Sequence, residues 1–185
     1  GKLTSAHTHG TLGIKWAVEA GVETIEHGTM LDEEGVQMML DNGTWLVPTL
    51  CAPYNIMRYG VEAGIPQEMV DKCSLVAERH KQSTKMAYEA GVKIAFGTDT
   101  GTPFSAHGSQ ALEFELLVND GFRPEDAILS ATKNAAQMLH WDEKVGAVEA
   151  GKLADIVAVD SDPIADIRAL QNVTFVMKDG EIFKK

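Results

Sequence analysis

The sequence predicts an α/β fold in which four short β segments are each followed by a helix, with a small β-rich stretch at the end. Three observations predict it. A unit made of a β-prone segment, a polar or histidine-bearing loop, an amphipathic helix and a closing glycine recurs over residues 1–140. From Gly151 onward the pattern changes to short strands separated by Asp, Pro and Gly. A length of 185 residues with 44% hydrophobic content is enough apolar material for one core.

The first unit starts with a strand over 2–6, passes through His7-Thr8-His9-Gly10 and enters a helix over about 12–20 that Gly21 closes. In the second, a strand over 22–26 ends in His27-Gly28. Its helix starts at Asp32, an N-cap residue type, and stops at Asn42-Gly43, with Val36, Met39 and Leu40 expected on one buried face. The third strand, 45–47, is stopped by Pro48. A long loop carrying Tyr54, Arg58 and Tyr59 is expected next, then a helix over 67–89. The fourth strand, 93–96, runs into Gly97-Thr98-Asp99-Thr100-Gly101 and a helix near 109–119. Arg123-Pro124-Glu125-Asp126 opens a further helix, with proline in its first turn, and 132–139 continues it. The closing strands are expected at 154–159, 173–178 and 181–183, the last two joined by an Asp179-Gly180 turn. This divides the chain into 1–140 and a β-rich segment, 141–185.

A net charge of −11, from 16 basic and 27 acidic residues, argues against a nucleic-acid partner, which would need a basic patch to displace counterions. Cys51 and Cys73 form neither a CxxC pair nor a disulfide framework, which fits a reducing, cytoplasmic setting. No apolar run approaches the roughly 20 residues that span a bilayer, and no signal-peptide layout opens the chain, so no membrane partner is expected. The start at Gly1, without methionine and just before a strand, reads as truncated.

Where parallel strands close a barrel, the chemistry collects at their C-terminal ends. His7 follows the first strand, His27 the second and Asp99 the fourth, so two imidazoles and a carboxylate far apart in sequence converge on one rim. That donor set suits a divalent ion, above all zinc. Asp99 is placed to accept and return the proton of the attacking water. Alternation puts His9 on the same face as His7, and His7 is the preferred ligand because it is nearer the strand end. His107 fits a substrate contact and equally an exposed loop histidine. Tyr54, Arg58 and Tyr59 fit a clamp for a substrate carboxylate and equally loop packing. His80 and His140 have no strand-end position and are expected to be structural. The glycines around Asp99 match no phosphate-binding pattern.

Four stretches, Ala6-His7-Thr8-His9-Gly10, Thr24-Ile25-Glu26-His27-Gly28, Gly97-Thr98-Asp99-Thr100 and Gly151-Lys152-Leu153-Ala154-Asp155-Ile156-Val157, together resemble the amidohydrolase superfamily. The similarity is greatest to its imidazolonepropionase-like and Xaa-Pro or Xaa-Arg dipeptidase-like branch, which includes ochratoxin-type amidases. The resemblance implies the C-terminal half of a (β/α)₈ TIM barrel, strands five to eight, plus part of a small β-sandwich. It implies that His7, His27 and Asp99 bind metal or activate water, that His107 lies near substrate, and that the intact enzyme holds one or two divalent ions. The family's His-x-His after strand one and its bridging lysine after strand four have no counterpart here. Four strands cannot close an eight-stranded barrel, so a missing N-terminal half or a second copy is expected to complete it. The function implied is metal-dependent hydrolysis of an amide or peptide bond in a dipeptide or N-acyl amino acid. A cyclic-amide hydrolase and an inactive half-barrel that binds a partner are the alternatives.

Overall fold

The computed structural model describes residues 2–185. Strands β1 (Ser5–Thr8), β2 (Thr24–His27) and β3 (Trp45–Val47) form a parallel sheet in the order β1-β2-β3. Helices α1 (Thr11–Glu19) and α2 (Glu33–Asn42) cross over between them. The Asp32 side chain caps α2 by accepting from the Gly35 amide at 2.8 Å, and Gly43 closes the helix at φ 68°. Val36 and Met39 of α2 are buried as expected, whereas Leu40 is turned outward.

The fourth strand is shorter than expected, reduced to one bridge between Leu46 and Ile94. Its inner edge bonds to β3 through Leu46 N to Lys93 O and Ala95 N to Leu46 O. Its outer edge bonds to a helical turn, Phe96 N donating to Ser130 O and Asn134 Nδ2 donating to Ile94 O, so among the described residues no second strand extends the ladder.

The stretch expected as a loop after Pro48 is a helix, α3 (Cys51–Tyr59). Pro53 lies in its first turn, where a missing N–H costs nothing. Its start is capped from another part of the chain. Helix α4 (Gln67–Ala90) follows, and Leu112–Asn119 forms α5, three residues later than expected. The last helical run is α6 (Pro124–Leu129), a π-helical turn at Ser130–Asn134 and α7 (Ala135–Met138). That turn supplies both contacts to the outer edge of the fourth strand.

The main core lies between sheet and helices and includes Ile14 and Val18 of α1, Ile25 of β2, Leu46 of β3 and Leu117 of α5, all at most 0% exposed. On the opposite face Trp45, Val47 and Ala95 form a smaller cluster with Met138. Strands β4 (Ile156–Val159), β5 (Val173–Lys178) and β6 (Glu181–Lys184) form a separate antiparallel sheet in sequence order, with a 3₁₀ turn at Ile167–Gln171. Among the described residues no helix is long and apolar enough to cross a membrane.

Candidate metal centre

The parallel register brings β1 and β2 to the same level, Thr8 opposite His27. As a result His7, His9 and His27 meet at the C-terminal end of the sheet, their candidate ligand atoms all within 4.8 Å of one another. The His7 and His27 rings meet edge to face with centroids 4.6 Å apart, and His9 stacks on His27 at the same distance. His27 Nε2 lies 2.9 Å from His7 Nδ1.

Two threonines set the outer imidazole nitrogens. Thr49 Oγ1 is 2.6 Å from His27 Nδ1, and Thr29 Oγ1 is 2.7 Å from His9 Nδ1. A hydroxyl that accepts from Nδ1–H leaves the Nε2 lone pair free to point inward. Burial, with His9 and His7 adding to it, pushes the His27 pKa down to about 4 against the opposing charge of Asp99. His9 is lowered in the same way, by burial first and His7 second. Both rings are therefore neutral near pH 7, the state a metal ligand requires. Three imidazoles with their ligand atoms gathered this closely fit a divalent ion.

Backbone strain collects at the same rim. His27, Thr49 and Asp99 all have positive φ, at 71°, 60° and 52°. Such conformations are uncommon outside glycine and an outlier for a β-branched residue such as Thr49. Asp99 follows the fourth strand at the same end and is close enough for its charge to act on both His9 and His27.

His80 stands outside the cluster and supports it from behind. Its Nε2 donates to the His27 carbonyl at 2.9 Å, and the ring is 3% exposed. His140 is remote, paired with Glu23 at 3.2 Å. Arg58 lies against the rings of Tyr54 and Tyr59 and donates to the Tyr54 hydroxyl at 3.2 Å. Arg58 and Tyr59 line a cleft of about 350 Å³ with Asn55, Phe104 and Ser109. His107 is exposed and meets Gln110 at 3.5 Å; its neighbours Gly108 and Ser109 line that cleft. Thr29, Thr49 and the supporting contact from His80 were not anticipated, because no local pattern marks a hydroxyl or a helical histidine that acts through space.

The profile of the amidohydrolase family matches residues 1–183. The chain is 34% identical to an ochratoxinase from Aspergillus niger, over 99% of this chain and 38% of that one. It is 25% identical to an imidazolonepropionase from Fusobacterium nucleatum subsp. nucleatum, over 94% of this chain and 38% of the relative. A crystal structure of a Xaa-Pro dipeptidase with methionine bound in the active site superposes with a TM-score of 0.92 at 40% identity, covering 100% of this chain and 45% of the other. The chain thus spans less than half the length of these relatives.

Proposed function

The chain belongs to the amidohydrolase family, and from that premise we propose that it forms one half of a metal-dependent hydrolase that cleaves an amide or peptide bond in a dipeptide or N-acyl amino acid. Residues 1–140 would supply strands five to eight of a (β/α)₈ barrel, and 141–185 part of a small β-sandwich. Polypeptide beyond this chain, or a second copy of it, would supply the rest. A cytoplasmic, small-molecule enzyme is the setting we infer.

The observation that carries the reading is the meeting of three imidazoles within 4.8 Å at the C-terminal end of a parallel sheet. His7 and His27 would hold the ion, with His9 beside them, and Asp99 would complete the donor set. Zinc suits imidazole and carboxylate donors, and a second ion in the whole enzyme would draw further ligands from the other half. When bound, such an ion would polarise a scissile carbonyl and make a water more acidic. Asp99 would take the water's proton and return it to the leaving nitrogen. Accepting from Nδ1–H, Thr49 and Thr29 would keep the His27 and His9 rings in the ligating tautomer. Arg58, with Tyr54 beside it, would bind the substrate carboxylate at the cleft it lines, and His107 would contact the substrate from the loop.

A second reading, hydrolysis of a cyclic amide, draws on the similarity to imidazolonepropionase. Metal content of the dialysed chain tests the centre: near-stoichiometric zinc in the wild type, lost in His27→Ala and Asp99→Ala, is expected. Zinc equally retained by both variants would refute the assignment. With the complete enzyme, release of a free amino acid against ring opening separates the two substrate classes.

A further inference from the structure

Glu113 is completely buried in the first turn of α5, yet both its oxygens face a different helix. Oε1 accepts from the Leu50 amide at 2.8 Å and Oε2 from the Cys51 amide at 2.7 Å. These are two of the amides that the start of α3 leaves without an internal partner, and Leu50 has no side chain able to cap them. The carboxylate therefore caps α3 from the far side of the core, with negative charge at the positive end of the helix dipole. Burial pushes its pKa up to about 7 while the two amides pull it down. The Cys51 thiol beside it is pushed up by burial and by this carboxylate, and stays neutral.

The residue before this cap is Thr49, held at φ 60°. Its hydroxyl sits 2.6 Å from His27 Nδ1, and the opposite nitrogen of that ring is 2.9 Å from His7. Whatever fixes the first turn of α3 therefore also fixes the position of the Thr49 hydroxyl. A left-handed β-branched residue persists only where its surroundings over-determine it. The two bonds to Glu113 come immediately after Thr49 in the chain.

We propose that Glu113 is a positioning residue for the histidine centre: by gripping the first amides of α3 it holds Thr49 in its left-handed conformation and so sets the orientation and tautomer of the His27 ring. The proposal deepens the reading of that centre as functional, and its test needs no metal.

The experiment is nuclear magnetic resonance on the metal-free 185-residue chain, following histidine ring nitrogens and backbone amides together. In Glu113→Gln the Leu50 and Cys51 amides are expected to shift and to exchange about tenfold faster. The His27 ring nitrogens are expected to shift or double, while His107 and His140 stay in place. Amides that respond while the His27 nitrogens do not would overturn the proposal and leave Glu113 as a helix cap alone. If Glu113→Gln does not fold, Thr49→Ala carries the test. It should displace the His27 nitrogens with α5 untouched, Thr49→Ser should restore them, and an unmoved His27 ring would again overturn the link. Zinc added to the same wild-type sample separates the two readings, because ring nitrogens that ignore zinc would remove the metal centre and leave the Glu113 to His27 link standing.

Discussion

Acidification should weaken this fold through His80, and the size of the effect follows from where the ring sits. His80 is 3% exposed, and burial pushes its pKa from 6.5 down to about 4 despite the pull of the His27 and Pro48 carbonyls. In the unfolded chain the same ring protonates below its ordinary value. Stability from keeping it neutral is complete above pH 6.5 and is lost as pH falls toward 4, because the unfolded state binds the extra proton across that window. At 1.36 kcal/mol per pH unit, going from pH 7 to pH 5 costs about 2 kcal/mol, rising to about 3 kcal/mol by pH 4. His80→Gln keeps an N–H to donate to the His27 carbonyl but does not titrate. Urea unfolding of both proteins at pH 7 and pH 5 cancels the cost of the substitution itself and the shared titration of His27. The wild type should lose about 2 kcal/mol more than the variant over that interval. Equal losses would refute the idea that His80 is buried neutral behind the strand ends.

Three other outcomes follow from single contacts. Asp32→Ala removes the cap on Gly35 and the ion pair with Lys15 at 2.8 Å, and should cost about 1–2 kcal/mol by urea unfolding; Asp32→Asn, which keeps the cap, should cost less. Gly97→Ala would place its Cβ 2.3 Å from Val47 Cγ1, so thermal unfolding should show a loss of about 1–3 kcal/mol that Val47→Ala partly restores. Arg58→Ala in the complete enzyme should raise KM about tenfold or more for substrates with a free carboxylate and leave kcat nearly unchanged, while amide-capped substrates respond little.

Legibility followed the range of the interactions involved. The Asp32 cap, the Gly43 stop and the strand ending at His27 were readable because each is decided within a few residues. Helix α3 was not, because its capping group comes from Glu113, more than sixty positions away along the chain. The fourth strand was overestimated because β propensity says nothing about partners: one edge faces β3, and a π-helical turn occupies the other.

The candidate site divides in the same way. His7, His27 and Asp99 stood out in the sequence because a polar residue near the end of a strand marks a rim, although the strand ends themselves were misplaced: β1 was expected to stop at Ala6 and runs over Ser5–Thr8, so that His7 lies within it. That chemistry is written locally, and it pointed to the family as well. Which histidines share a point in space is a matter of register and backbone twist: His9 enters the cluster because Thr8 pairs opposite His27, and because His27 turns at positive φ. The hydroxyls that hold the rings, the buried histidine behind them and the carboxylate that clamps α3 belong to separate elements. Only packing brings such groups together, since hydrogen bonds depend on distance through space and a linear pattern records only distance along the chain.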